Sequence, residues 1–260
     1  MSLFENYQHL MADAAFNLAG KPLHEDLLLS CEGSLQTFYA PFDHINAQAR
    51  IVICGITPGL QQAMNALNEA RRQLRSGASV AAAKQAAKET ASFSGPMRPN
   101  LIAMLDHIGV QGYLGIDSCE QLFDSHRHWV HYTSALRYPV FLNGENYSGN
   151  PGLLSRASLR HQIEHHLSEE IRLLPSHCVY VPLGPKVGEV FDYLLGRGLL
   201  RPEQVLSGLP HPSGANAERI SYFLGRKEKA ALSVKTNAAS LDAAREQLTN
   251  KIRQLCVEAR

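Results

Sequence analysis

The feature that most constrains this chain is a short apolar run that breaks into a turn at residues 51–59. Residues 51–54 are apolar and mostly β-branched, which is typical of a central parallel strand covered on both faces. Gly55, Pro58 and Gly59 mark a tight turn, and apolar residues then return at helical spacing from Leu60 onward. Such a turn lies at the carboxyl edge of a sheet, where open α/β sheets bind ligands.

The same alternation of apolar runs and helical patterns recurs along the chain. Further strands are expected at 129–135, 178–181 and 205–206, with helices at 60–90 (broken at Ser76 and Gly77), 100–108, 117–123, 155–174, 185–196 and 215–230. Four strands alternating with helices predict an α/β fold, a three-layer α/β/α sandwich around a short four-stranded parallel sheet.

No repeat, low-complexity tract or linker divides the chain, so we predict a single domain over residues 1–260. Within it we expect peripheral N-terminal helices in 1–37, a long polar loop at 143–152 and a C-terminal helix in 231–260. The two helices expected in 60–90 are rich in Ala, Gln and Arg, and the second is only weakly amphipathic. They are interpreted as a lid or an insertion.

Bulk properties predict a cytoplasmic protein. No stretch reaches the roughly 18 uninterrupted apolar residues of a membrane span, and residues 1–20 lack the basic start and apolar core of a signal peptide. The five cysteines are scattered and form no Cys-x-x-Cys pair, which favours reduced thiols over a disulfide framework or an iron–sulfur cluster.

Charge is nearly balanced overall but unevenly distributed. The net charge is +1, whereas residues 61–100 carry six Lys/Arg against two Glu, and residues 217–260 carry nine Lys/Arg against five Asp/Glu. These segments follow the loops at residues 55–59 and 211–216, so positive charge is expected to gather on one edge. The competing interpretation is two solvated helix faces.

Two loops, at residues 55–59 and 211–216, follow expected strands and precede helices. They read Gly-Ile-Thr-Pro-Gly and His-Pro-Ser-Gly-Ala-Asn. In this order, over roughly residues 38–230, they resemble the water-activating loop and the His-Pro-Ser loop of the uracil-DNA glycosylase superfamily. The segments Ala-Ser-Phe-Ser-Gly at 91–95, Tyr-Thr-Ser-Ala-Leu at 132–136 and Leu-Gly at 183–184 stand where that family has a base-stacking aromatic, a base-reading residue and the end of a strand.

The resemblance implies an enzyme that flips a damaged or deaminated base out of DNA and hydrolyses its N-glycosidic bond. It implies catalytic roles for Thr57, which positions water, and His211, which donates a hydrogen bond to the departing base. The base-binding residues would be Gly55, Ile56, Pro58, Phe93 and Ser134, and the DNA-backbone contacts Gly59, Ser213, Gly214 and Asn216. The implied partner is DNA, single-stranded or damaged, with no metal or organic cofactor and no membrane, and we expect a monomer.

The chain departs from the family pattern at three points. Thr57 stands where the resemblance leads us to expect Asn or Asp, Ser134 stands where uracil is read by Asn, and no bulky wedge residue follows Ser213. An acid recruited from elsewhere would replace the missing carboxylate, and Asp43 is the candidate. The second hypothesis is therefore a catalytically weak nucleic-acid- or nucleobase-binding protein on the same scaffold.

A third hypothesis, of another class, comes from residues 161–165, which spell the His-x-x-Glu-His pattern of inverted zinc peptidases. Two His four residues apart on a helix face one way and can bind zinc, with Glu164 as base. However, the apolar stripe of this helix runs through Leu159, Ile163 and Leu167, which puts both His on the solvated face. A metal-free helix surface is the favoured interpretation.

Overall fold

The computed structural model describes residues 3–92 and 97–258. The helices are α1 (Leu3–Ala12), α2 (Leu60–Arg75), α3 (Val80–Ala91), α4 (Met97–His107), α5 (Val110–Leu114), α6 (Ala157–His161), α7 (Ser168–Leu173), α8 (Pro185–Gly196), α9 (Ala217–Phe223) and α10 (Ala238–Glu258). The strands are β1 (Leu28–Glu32), β2 (Leu35–Phe38), β3 (Ile51–Gly55), β4 (Val130–Ser134), β5 (Val140–Leu142), β6 (Glu145–Asn146) and β7 (Val179–Pro182). Across the described ranges, no helix is both long enough and apolar enough to cross a membrane.

A parallel sheet has the order β4-β3-β7, with all five residues of β3 buried. The pairing of β3 with β7 runs in register from Ile51 opposite Val179 to Cys54 opposite Pro182. The mixed α/β class and three of the expected strands are thus confirmed. The fourth strand, expected at 205–206, is only an isolated parallel bridge from Val205 to Tyr180, because a 3₁₀ turn at Pro202–Gln204 precedes it and Gly208 follows.

A second, antiparallel sheet of order β1-β2-β5-β6 was not foreseen. It corrects two expectations. Within residues 3–37 the helical parts are α1 and a 3₁₀ turn at Glu25–Leu27, and β1 and β2 form a hairpin. The supposed polar loop after position 143 begins inside the β5–β6 hairpin. Asn143 (φ 53°) and Gly144 (φ 80°) form the turn of that hairpin. The Asn-Gly pair is the strongest short-range hairpin signal in a sequence, and both residues take the positive φ that such a turn requires.

The chain forms two compact units, each assembled from three separate segments. The first unit comprises Met1–Asn46, Gly55–Ser94 and Tyr132–Leu174, and the second comprises Ala47–Cys54, Gly95–His131 and Pro175–Arg260. Because neither unit is one continuous stretch, no single linker separates them. The single domain remains a prediction.

The core of the first unit contains α2 and α3, which therefore do not form a lid. Apart from Leu67 and Lys88, the residues that they bury are alanines: Ala63, Ala66, Ala70, Ala83, Ala87 and Ala91. Small side chains let two helices approach closely, so this face packs into one core with the aromatic residues Phe4, Tyr39, Tyr138 and Phe141.

Residues 157–173 form one helical segment, as expected, with a π-helical turn at Gln162–Leu167 that the sequence pattern did not predict. The expected apolar stripe is buried: Leu159, Ile163, Leu167, Ile171 and Leu174. The C-terminal helix α10 begins at Ala238, so residues 232–237 belong to a loop and not to that helix, and Ala231 ends a 3₁₀ turn that begins at Lys229.

A buried ion cluster joins three elements of the first unit. Glu170 of α7 is fully buried and accepts hydrogen bonds from Lys88 of α3 (Nζ–Oε1 2.9 Å) and from Arg137, which follows β4 (Nη2–Oε2 3.0 Å). Burial lowers the pKa of Lys88, and the charge of Glu170 opposes that shift. Lys88 is thus an internal charge, which removes one cation from the basic surface expected over residues 61–100.

Removing the central carboxylate should destabilise the fold strongly. Glu170→Gln leaves Lys88 and Arg137 buried without their counter-charge, and we expect it to lower the free energy of unfolding by about 3–5 kcal/mol. The matched control is the exposed neighbour Glu169→Gln, which should change it by less than about 0.5 kcal/mol. Urea unfolding of both variants measures the difference, and equal stabilities would contradict the proposed importance of the cluster.

Candidate functional site

The first loop, residues 55–59, leaves β3 and is fixed to the segment that follows β4. The amide of Ala135 donates to the carbonyl of Gly55 (2.8 Å), and the amide of Leu136 donates to the carbonyl of Ile56 (2.9 Å). Ser134, the last residue of β4, is half-buried and adjoins this connection. The structure therefore brings the expected base-reading position and the first loop together within the first unit.

The hydroxyl of Thr57 is engaged on both sides. It donates to the carbonyl of Tyr138 (3.1 Å) and accepts from the amide of Val140 (3.1 Å). Tyr138 and Val140 are buried, so this hydroxyl satisfies backbone groups that would otherwise lack a partner. Because its proton is already donated, Thr57 could hold a water only through a remaining lone pair.

The start of α2 is capped by side chains. The amide of Gly59 donates to Oε1 of Gln62 (3.0 Å), and the amide of Leu60 donates to Oδ1 of Asn146 on β6 (2.8 Å). A Cβ at position 59 would come within 3.4 Å of that Asn146 oxygen. Gly59 thus allows close approach of the chain here, while its amide is already bonded within the protein.

Asp43, a half-exposed carboxylate of the first unit, is connected to the first loop through Tyr138. Its two oxygens accept hydrogen bonds from the buried phenols of Tyr138 (2.7 Å) and Tyr39 (2.9 Å). Burial, together with the charge of Asp43, raises the pKa of both phenols, which keeps them protonated as donors. Tyr138 therefore contacts both candidates, Thr57 through its carbonyl and Asp43 through its hydroxyl.

The second loop, residues 211–216, holds His211 in a defined orientation. The amide of Ser213 donates to Nδ1 of His211 (3.3 Å), and Cβ of His211 lies 3.3 Å from where a Cβ at Gly184 would stand. Gly184 has φ +84°, so any other residue there would be both strained and in the way of His211. The side chain of Asn100 on α4 donates to the carbonyl of Pro212 (2.9 Å) and fixes the loop from another direction.

The chemistry of His211 follows from these contacts. Burial lowers its pKa, so the imidazole is neutral at pH 7. A neutral imidazole that accepts at Nδ1 carries its proton on Nε2. His211 is therefore set to donate one hydrogen bond from Nε2, the role that the family resemblance implies for it.

The rest of the second loop is bonded internally. The amide of Asn216 donates to the carbonyl of Ser213 (2.9 Å), and its side chain donates to Oγ of Ser213 (3.2 Å). The amides of Ser213 and Asn216 are both bonded within the protein. The phosphate contacts expected at these two residues would therefore have to be made by their side chains. Gly214 is exposed and begins a short 3₁₀ turn.

The sequence-predicted residues are distributed over both units. Those in the first unit are Gly55, Ile56, Thr57, Pro58, Gly59 and Ser134; those in the second are His211, Ser213, Gly214 and Asn216. The stacking role expected for Phe93 falls outside the described residues. Sequence reasoning did not find Tyr39 and Tyr138 as partners of Asp43, and no spacing signal marks them, since Tyr138 is 95 residues from Asp43.

The residues of the zinc-peptidase pattern do lie on a solvated surface. His161 and His165 are exposed, and their ring centroids are 4.2 Å apart. The next residue, His166, is half-buried, and burial lowers its pKa to about 4. Within residues 3–92 and 97–258, no group of three or more His, Cys, Asp or Glu side chains is placed to hold a metal ion.

Comparison with known proteins shows a relative that covers most of the chain. The uncharacterized protein YoxB of Bacillus subtilis (strain 168) is 35% identical over 227 residues, which cover 86% of this chain and 89% of that protein. No family model and no solved structure matches the chain.

The role of the Thr57 hydroxyl in holding the first loop can be measured directly. Thr57→Val keeps the shape but leaves the Tyr138 carbonyl and the Val140 amide without a partner. We expect it to lower the free energy of unfolding by about 1–3 kcal/mol. Thr57→Ser retains the hydroxyl and should lose clearly less. Thermal and urea unfolding compare the two, and a valine variant as stable as the wild type would show that these bonds do not hold the loop.

Proposed function

We propose that this chain, which belongs to the same family as the uncharacterized protein YoxB of Bacillus subtilis, is a DNA glycosylase-like protein. It would hydrolyse the N-glycosidic bond of a damaged or deaminated base in DNA, as in base excision repair. We also propose that its fold is an α/β/α sandwich of the uracil-DNA glycosylase type. It would act in the cytoplasm as a monomer. It invokes no metal or organic cofactor.

The observation that carries the proposal is the state of His211. Cleavage of the bond between C1′ and the base nitrogen leaves negative charge on the departing base, and a fixed hydrogen-bond donor stabilises that charge. His211 is neutral because of burial and carries its proton on Nε2 because Nδ1 accepts from the Ser213 amide. Its contacts with Gly184 and the Ser213 amide hold the ring before any substrate arrives.

The water that attacks C1′ must lose a proton, and Asp43 is the group proposed to accept it. Two buried phenols hold its carboxylate, which remains half-exposed and so accessible to water. The Thr57 hydroxyl, whose proton is donated to Tyr138, is proposed to accept a hydrogen bond from the attacking water through its remaining lone pair. In this assignment the carboxylate that the first loop lacks is supplied from the segment before β3.

One observation favours the second candidate, a catalytically weak nucleic-acid- or nucleobase-binding protein. The hydroxyl of Thr57 is committed to two backbone groups, which is a sufficient structural reason for a threonine at this position. Ser134 in turn cannot make the paired donor and acceptor contact by which an amide side chain reads a base edge. A protein that binds DNA and cleaves no base would fit both facts.

The test is a panel of single- and double-stranded oligonucleotides that carry uracil, hypoxanthine, xanthine or a mismatched thymine, followed by alkali. We expect strand breaks at one or more of these bases. His211→Ala should reduce the single-turnover rate by about 10²–10³-fold, as for loss of one preorganised donor, and Asp43→Asn by about 10²–10⁴-fold, as for loss of a general base.

The control for both variants is His177→Ala, since His177 is an exposed histidine outside the two loops and should be dispensable. Breaks that persist unchanged in His211→Ala would overturn its assignment. Binding of DNA with no breaks at any base would instead support the second candidate. Such binding should weaken as salt is added, because it depends on contacts with the phosphates.

A further inference from the structure

The buried ion cluster of the first unit, Lys88, Arg137 and Glu170, holds more positive than negative charge. Lys88 and Arg137 are only 4% and 7% exposed, and both donate to the single carboxylate of Glu170, which is fully buried. A buried charge without a counter-charge is strongly destabilising. The cluster therefore needs a second acid to balance it.

Asp43 is the acid that completes this balance. Burial lowers the pKa of Lys88, and the charges of Glu170 and Asp43 oppose that shift. Burial acts in the same direction on Arg137, but the charge of Glu170, followed by smaller contributions that include the charge of Asp43, leaves the pKa of Arg137 raised. Two buried cations thus interact with two carboxylates, and Asp43 is the carboxylate that reaches solvent.

Lys88 also contacts the backbone beside Asp43. Its ammonium group donates to the carbonyl of His44 (Nζ–O 2.7 Å). Residues 42–46 lie outside every helix and strand of the described chain, so the ladder of a sheet or helix does not hold them. Hydrogen bonds from a charged donor are stronger than those between neutral groups. Lys88 therefore fixes the backbone directly after Asp43.

Arg137 leads to Asp43 by a second route. Its guanidinium donates to Glu170 and to the carbonyl of His166 (2.8 Å). The next residue is Tyr138, whose phenol donates to Oδ1 of Asp43 (2.7 Å). The two cations that share Glu170 are thus connected to Asp43 from both sides, one through the His44 carbonyl and the other through Tyr138.

Stability alone is a weak reason for a lysine in this core, because replacing a buried ion cluster by apolar residues is often neutral or stabilising. We propose that Lys88 is a positioning residue for Asp43, which it holds through the His44 carbonyl and by balancing its charge. The inference rests on the proposed function, in which Asp43 accepts the proton of the attacking water. Lys88 is buried and would itself touch neither that water nor DNA.

The experiment uses the full chain and an oligonucleotide with the base that the wild type cleaves. Lys88→Met keeps an apolar stem of similar length and leaves Glu170 paired with Arg137. It should lower the single-turnover rate by about 10- to 100-fold, as for a slightly misplaced reacting group, while the Kd for the same oligonucleotide changes by less than about twofold. Lys88→Gln keeps a hydrogen-bond donor and should lose less. The matched control is Lys84→Met, one turn earlier on α3 and only half-buried, which should change neither quantity.

A double variant separates positioning from a general loss of stability. If Lys88 acts through Asp43, Lys88→Met/Asp43→Asn should be no slower than Asp43→Asn alone, because the carboxylate that Lys88 positions is already gone. Losses of rate that multiply in the double variant would show that Lys88 acts independently of Asp43 and would overturn the inference.

A measurement without bond cleavage distinguishes this inference from the proposed activity. The NMR order parameter of the His44 amide should be near 0.85 in the wild type and in Lys84→Met, and should fall below about 0.6 in Lys88→Met. That fall, in a protein that cleaves no base, would support the positioning of Asp43 and overturn the glycosylase activity. Cleavage by the wild type, with an unchanged rate and order parameter in Lys88→Met, would overturn the role of Lys88 alone.

Discussion

The placement of Tyr138 is the constraint on which the rest of the first unit depends. Its amide donates to Oε1 of Gln162 (2.9 Å), its carbonyl accepts from Thr57, and its phenol donates to Asp43. The preceding residue, Arg137, is held by the buried carboxylate of Glu170. Since each of these bonds is made in a buried or half-buried setting, the loss of one leaves a polar group without a partner and costs more than the bond itself contributes.

This network connects the half-exposed carboxylate of Asp43 to the first loop, residues 55–59, through hydrogen bonds to Tyr138. Tyr138 lies in the middle of the aromatic and alanine core, so its phenol and its carbonyl cannot shift independently. The phenols of Tyr39 and Tyr138, which hold Asp43, are themselves fixed by the packing of the core. They keep Asp43 in place although its own side chain is half-exposed. Stability and the proposed chemistry therefore draw on the same residues.

The second unit organises its loop by a different means. Gly184 allows the close approach of His211, Asn100 holds the Pro212 carbonyl, and the amide of Ser213 sets the tautomer of the imidazole. Beyond the loop, Arg219 and Glu218 extend the same ordering to residues 233–235. Some of this positioning is local, as between Ser213 and His211, and some is long-range, since Asn100 lies 112 positions from Pro212.

Patterns over short stretches of the sequence predicted those helices and strands that burial or backbone restriction fixes locally. The apolar β-branched run at 51–54, the Pro at the start of α8 and the apolar stripe of residues 159–174 each fix an element through burial or backbone restriction, and these predictions are confirmed. The Asn143-Gly144 turn was equally local, and it was missed because the residues around it were interpreted as one polar loop. The N-terminal helix prediction is confirmed for α1 but was wrong at residues 28–37, because β1 has no clear apolar alternation and becomes a strand by pairing with β2.

The sequence by itself determined the α/β class, three strands of the parallel sheet and the two loops that follow β3 and precede α9. Only the tertiary structure decided that Tyr39 and Tyr138 hold Asp43, that Glu170 neutralises Lys88 and Arg137, and that the hydroxyl of Thr57 is bonded to the backbone. The physical reason is sequence separation. These contacts join residues that lie up to 95 positions apart, and no periodicity along the chain records which distant groups will meet once the core has formed.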